Sequence, residues 1–292
     1  MLLLIATLAA FPAGGPCSAE AKEVIVVKSA DLKPYQDVLR GFRDACGCDA
    51  REIKLSNGEG LAGILSRKPE AVVAIGTSVF KKVRMLTDLP IVYTMVVPSE
   101  AALSQNRNLS GVSMDISPQV YLSTMLEMFP AVKRVGLLYD PRHTAEFVEA
   151  ALKASQAAGI ELVTKQVHAP SAIPAALQEM REKLDVFWMV PDSTLVTPEM
   201  VDYLLLFSFQ HNLPVFSFSK KYLEQGAIAS LDVDPYDMGV QAGEIVKRLS
   251  AGDTGAIRVY ARKYRLTINA KVAAKLGLKI GDEILKKAAN VE

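Results

Sequence analysis

Short, unbroken apolar runs alternate with amphipathic stretches along almost the whole chain, and this pattern leaves few folds open. Val24-Ile25-Val26-Val27 and Ala71-Val72-Val73-Ala74-Ile75 are apolar at every position, as strands covered on both faces of a parallel sheet are. Between them, residues 35–45 place Val38, Leu39 and Phe42 on one helical face. The pattern predicts strands at 24–27, 52–55, 71–75 and 91–96, with helices at 35–45, 61–67 and 79–86. After Met114 it starts afresh, with helices at 120–129, 145–158, 173–183 and 199–211 among strands at 134–138, 161–167, 186–190 and 215–217. A strand at 227–231, a helix at 236–249, an extended stretch at 258–268 and a helix at 270–276 complete it.

A βα alternation of this kind specifies an α/β fold, and its repetition specifies two doubly wound parallel-sheet lobes. A length of 292 residues agrees with two domains at about 150 residues each. The expected division is 22–114 plus about 235–257 for the first lobe, and 115–234 plus about 258–292 for the second. The last sixty or so residues then run between the lobes, and several such crossings form a hinge over a central cleft.

The chain carries 33 Lys and Arg against 32 Asp and Glu. A protein that neutralises phosphates needs a clustered basic excess, so a nucleic-acid partner is not expected. Beyond the N-terminus no uncharged apolar stretch approaches the roughly 20 residues that span a bilayer. The start differs. Leu2 to Phe11 form an apolar run of secretory type, and Ala19-Glu20-Ala21 supplies a cleavage site, so 1–21 is expected to be a signal peptide. Lipidation of Cys17 is the less favoured alternative, because Pro16 directly precedes it. Export leaves Cys46 and Cys48 as an even pair in an oxidising compartment, either two thiols or a bridge across one residue at the end of the first helix.

Catalytic and metal-binding patterns are scarce. His143, His168 and His211 are far apart, and neither a G-x-S-x-G elbow nor an H-E-x-x-H pair occurs. Gly58-Glu59-Gly60-Leu61-Ala62-Gly63 fits G-x-G-x-x-G, but it follows a polar second strand and lacks the downstream acid, so it reads as a turn before a helix. Asp234-Pro235 reads as a helix cap. Neither catalysis, nor a metal, nor a cofactor is expected.

What remains is a set of small polar groups just after strands, where open α/β sheets bind ligands. The candidates are Ser29, Thr77, Ser78, Tyr93, Thr94, Tyr139, Asp140, Asp192, Ser193 and Ser217. Singly, each also suits a cap or a turn. Together they point to a small polar ligand held between the lobes.

These residues also carry a resemblance. Val73-Ala74-Ile75-Gly76-Thr77, Leu89-Pro90-Ile91-Val92, Leu109-Ser110-Gly111-Val112, the stretch from Phe129-Pro130-Ala131-Val132 to Leu138-Tyr139, Val190-Pro191-Asp192-Ser193-Thr194 and Leu213-Pro214-Val215-Phe216 follow in order. Tyr236-Asp237-Met238-Gly239 and Leu266-Thr267-Ile268-Asn269 continue the series. The chain resembles the ABC-transporter substrate-binding protein family related to tryptophan/tyrosine-binding proteins.

The resemblance implies a type I periplasmic-binding-protein fold and an extracytoplasmic, monomeric receptor that hands a small molecule, amino-acid-like and aromatic in part of the family, to a membrane permease. It implies a ligand role for Thr77 and Ser78, for Tyr139 and Asp140 where Tyr-Asn is usual, and for Asp192 as the acid facing a ligand amine. The sequence departs from the family at Ser29-Ala30-Asp31, Val97-Pro98 and Arg142-His143-Thr144. A sensory protein signalling to a membrane partner predicts the same cleft, and an enzyme on the same scaffold is a further alternative.

Overall fold

The computed structural model describes residues 23–55, 60–96, 103 and 106–291. The expected signal peptide with Cys17, the Gly58-Glu59 half of the glycine-rich motif and Val97-Pro98 lie outside the described residues.

The first sheet takes β1 (Glu23–Lys28), β2 (Asp49–Ile53), β3 (Ala71–Ile75), β4 (Ile91–Thr94), β5 (Leu109–Val112) and β11 (Arg258–Val259), in the order β11-β5-β4-β3-β1-β2 with every pair parallel. Helices α1 (Lys33–Cys46), α2 (Leu61–Ser66) and α3 (Thr77–Val83) connect its early strands. The apolar runs are continuous because both faces are covered. Val24, Val26, Val73 and Ile75 pack with Val38 and Phe42 of α1, while Ile25, Val27, Val72 and Ala74 pack with Ile64 and Phe80 of α2 and α3.

The second sheet takes β6 (Arg134–Tyr139), β7 (Glu161–Gln166), β8 (Val186–Trp188), β9 (Val215–Ser217), β10 (Ala229–Val233), β12 (Tyr264–Ile268) and β13 (Asn290–Val291), in the order β13-β12-β10-β9-β8-β6-β7. Around it lie α4 (Pro118–Met128), α5 (Pro141–Ala158), α6 (Ile173–Met180), α7 (Pro198–Gln210), α9 (Ala270–Lys275) and α10 (Asp282–Lys287). β12 runs antiparallel to β10, which the βα alternation did not lead one to expect. It arrives from the first sheet rather than through a crossover helix, so nothing turns it parallel.

α8 (Pro235–Ser250) leaves the second sheet and lies on α1. Asp234 caps it by accepting from the Asp237 N–H at 3.2 Å, with Pro235 at the first helical position, as the sequence leads one to expect. The approach to α1 is backbone to backbone. A Cβ on Gly41 would sit 2.0 Å from the Tyr236 carbonyl oxygen, and one on Gly239 2.0 Å from that of Val38.

The chain passes between the sheets at residues 113–117, at Asp234 and at residues 260–263, and these passages are bonded to one another. Ser113 N–H donates to Val259 C=O at 2.9 Å, Ala261 N–H to Asp115 C=O at 3.0 Å, and Asp234 N–H to Lys263 C=O at 3.0 Å. Gln241 of α8 grips the third passage twice: its Nε2 donates to the Tyr260 carbonyl at 2.9 Å, and its Oε1 accepts from the Arg262 N–H at 3.0 Å.

Some details differ from the sequence expectation. β2 begins at Asp49, three residues early, because an edge strand with one exposed side is not marked by an apolar run. The expected extended stretch at 258–268 is two strands in different sheets, since Arg258–Val259 pairs with β5. β13 and α10 are too short to leave a periodic trace. Cys46 and Cys48 are bonded across Gly47, with Cα atoms 5.2 Å apart. No helix among the described residues is long and apolar enough to cross a membrane.

Candidate functional site

The polar residues expected to meet a ligand end in different places. Ser29 ties β1 to α3: its N–H donates to the Ile75 carbonyl at 2.9 Å and its hydroxyl accepts from the Val79 N–H at 3.1 Å. It does so beside Gly76, whose φ of +95° and closeness to Ser29 and Tyr35 leave no room for a Cβ. Thr77 and Ser78 open α3 and are exposed, as is Ser193. Thr94 is fully buried, and its hydroxyl has no hydrogen-bond partner among the described residues. Ser217 turns into its own sheet and donates to the carbonyls of Ser219 and Ala229. The Tyr139 hydroxyl accepts from Gln166 Nε2 at 3.1 Å.

Asp140 and Asp192 come together, but around each other's neighbours. Asp192 Oδ2 accepts from the Asp140 N–H at 2.8 Å and from the Thr144 hydroxyl at 2.7 Å, while Oδ1 accepts from the Thr194 N–H at 2.8 Å. Asp140 caps α5 through the Arg142 N–H, takes the Arg142 guanidinium, and accepts from the Thr194 hydroxyl at 2.8 Å. Both acids have no exposed surface. The Arg142 guanidinium beside Asp140 holds its carboxyl well below the usual carboxylate range, with the Thr194 hydroxyl adding to the effect against burial. This network fixes the start of α5, where Thr144 departs from helical geometry (φ −133°) and turns its hydroxyl to Asp192.

The first turns of α5, held in that way, face a cavity of about 260 Å³ between the two sheets. Its walls come from both halves. Tyr93 of β4 and Ser113, just past β5, stand on one side, and His143, Thr144, Glu146 and Phe147 of α5 on the other. Asp115 of the first passage and Arg258, Val259 and Tyr260 leading into the third close it. Of the ten sequence candidates, Tyr93 alone lines this space. Its ring meets Phe80 edge-on at 5.4 Å and lies over Gly111, where any Cβ would strike it. Phe147 stands 5.4 Å from Trp188 and 6.5 Å from Tyr260, so one wall is aromatic and backed by aromatic rings.

Charge in the cavity is mixed. Asp115 Oδ2 accepts from the Ser113 hydroxyl at 2.7 Å. Burial pushes the Asp115 carboxyl up, and the Ser113 hydroxyl opposes this only in part. Burial pushes the Tyr93 phenol up to about 12. The field of Arg258 opposes that rise, whereas those of Asp115 and Glu146 add to it, so all three charges bear on one ring. Arg258 donates from Nη2 to the Leu103 carbonyl at 2.7 Å. Acids, a guanidinium and aromatic faces around one small space suit a compact ligand with both polar and flat parts.

Most of the cavity residues that were not sequence candidates stand on α5, on β11 and on the passages between the sheets. Ser113 and Asp115 do follow a strand end, but β5 is four residues long and does not announce itself. Tyr260 lies within the stretch expected to be extended at 258–268, at the break between two strands of different sheets.

The chain is similar over residues 52–292 to the family described as ABC transporter substrate binding protein. No curated protein sequence matches it. Among solved structures it is similar to a ligand-free, open substrate-binding protein with adhesive properties from Clostridium difficile, at 18% identity and a TM-score of 0.68, covering 93% of this chain and 99% of that one. It is similar to an ABC domain in complex with L-Trp from Streptococcus pneumonia, at 20% identity and 0.63, with 93% and 99% covered. A sugar-binding protein of a sugar ABC transporter from Bacillus halodurans follows at 14% and 0.54, with 87% and 99% covered. The likeness establishes the type I periplasmic-binding-protein fold.

Proposed function

This chain belongs to the family of ABC transporter substrate binding proteins, and from that premise we propose that it is the extracytoplasmic solute receptor of an ABC importer. It binds a small, amino-acid-like molecule between its lobes, closes on it by bending at the three passages, and presents it to a membrane permease. The reading includes export directed by residues 1–21 and action as a monomer.

The observation that carries it is the cavity's construction. Tyr93 and Ser113 come from one half, Phe147 and Thr144 from the other, and Asp115 and Tyr260 from the passages themselves. A ligand touching all of these stabilises the closed arrangement over the open one, as a two-state receptor requires. Carboxylates, a guanidinium and aromatic rings match a zwitterion with a flat side chain. The L-Trp named with the streptococcal structure supports that class, and the sugar-binding relative makes sugars the comparison to run.

Native mass spectrometry of the purified protein tests this. The expected result is a non-covalent adduct of small mass that denaturation releases. A protein free of adduct that no amino acid and no sugar stabilises against heat contradicts the reading.

A further inference from the structure

Among the described residues one carboxylate of the cavity, that of Asp115, has no ion-pair partner, and this bears on what enters. Resting on the reading of the cavity as the solute site, we infer that it selects a solute carrying a cationic nitrogen, and that Asp115 receives that nitrogen.

Asp115 is partly buried and sits on the first passage, with its carbonyl bonded to Ala261 of the third. Its Oδ2 is held by the Ser113 hydroxyl, whose oxygen also accepts from the Asp115 N–H at 3.0 Å, so the side chain is anchored at one oxygen. Among the described residues no Lys or Arg forms an ion pair with it. The groups that share its cavity are His143 and Glu146 of α5, Tyr93 of β4, and Arg258 and Tyr260. The Tyr121 phenol of α4 also feels its charge. Arg258 spends one nitrogen on Leu103.

A carboxylate taken out of water without a counter-charge is unfavourable, and an incoming cation offsets this. The flanking rings of Tyr93, Phe147 and Tyr260 favour the same charge. Asp140 and Asp192, the strand-end acids that hold the start of α5, have their oxygens occupied by donors of the chain itself.

The arrangement has a pH signature. Burial raises the Asp115 carboxyl in the empty protein, so acid protonates it and removes the partner for the cation. Affinity rises with pH by about tenfold per unit through the window above the ordinary aspartate value of about 3.9, then levels off. Asp115→Asn tests the assignment, because it removes the titrating carboxyl and keeps the size of the side chain.

The experiment measures thermal shift and calorimetric affinity for four sets of compounds. These are the L-amino acids, the amines left by removing their carboxyl group, the acids left by removing their amino group, and neutral sugars. We expect nitrogen-bearing compounds to bind wild type, their deamino counterparts to bind about 10- to 100-fold more weakly, and Asp115→Asn to lose a similar factor together with the pH dependence in mild acid. Deamino acids or sugars that bind as tightly, or an Asp115→Asn protein with unchanged affinity and slope, overturn the inference and leave the solute-receptor reading standing. Failure of every compound overturns both. Should Asp115→Asn not fold, Ser113→Ala takes its place: it removes the hydroxyl donor to Oδ2 and shifts the pH window upward, and an unmoved window overturns the inference.

Discussion

Asp192 shows how one strand-end acid serves its own chain before any ligand. Its two oxygens take the Asp140 N–H, the Thr144 hydroxyl and the Thr194 N–H, which join the ends of β6 and β8 to the start of α5. Asp192→Ala strands three donors in a buried place, and urea unfolding of the ligand-free protein is expected to register a loss of about 3 kcal/mol. An unchanged midpoint removes the network from the account. Asp140 carries a second prediction. Its carboxyl is held low in the folded protein, so its stabilising effect is fully present above the unfolded value of about 3.9 and is lost as pH falls through the lower folded value. Stability of wild type measured against pH is expected to fall by about 2 kcal/mol over that acid range, and Asp140→Asn to flatten the fall. The sequence showed acids at strand ends, the right place for both uses. It did not show which oxygens the neighbouring hydroxyls and N–H groups would claim, because that depends on the kink at Thr144 and on two loops more than forty residues apart.

At the scale of elements, the seam between α1 and α8 places the return of the chain onto the first sheet. Gly41 and Gly239 lie against opposing backbone, so Gly239→Ala forces the helices apart and is expected to cost about 3 kcal/mol in denaturant unfolding. At Gly243 the added atom would lie 2.9 Å from the nearest backbone, and a smaller loss is expected there. Equal stability of wild type and Gly239→Ala contradicts the packing. Gln241, on the same α8, holds the passage that bears Tyr260, so Gln241→Ala is expected to weaken solute binding several-fold while the helix itself remains, as circular dichroism would check. The β and α elements were legible because runs such as AVVAI are buried on every side, and the cap at Asp234-Pro235 was legible from two residues. The joins were not. β5, β11 and β13 have two to four residues each, and β12 runs antiparallel for a reason that lies in the chain's route between the sheets.

For the whole molecule, the passages are where fold and site coincide. Backbone bonds between Ser113 and Val259, Ala261 and Asp115, and Asp234 and Lys263 keep the passages together, and three of these residues, Ser113, Asp115 and Val259, line the cavity they join. In the proposed reading, motion about them opens or shuts the cavity, and a solute bound to Tyr93 on one side and Phe147 on the other favours the shut form. The two-lobed plan was readable from the doubled βα alternation, whereas of the strand-end candidates Tyr93 alone borders the cavity, most of whose other walls come from α5, β11 and the passages. Small-angle X-ray scattering of the protein, first stripped of bound solute and then saturated with the compound recovered from it, tests the central claim most directly. The account predicts a smaller radius of gyration with the solute bound. A compound that binds while the radius of gyration stays the same would contradict closure of two lobes around it.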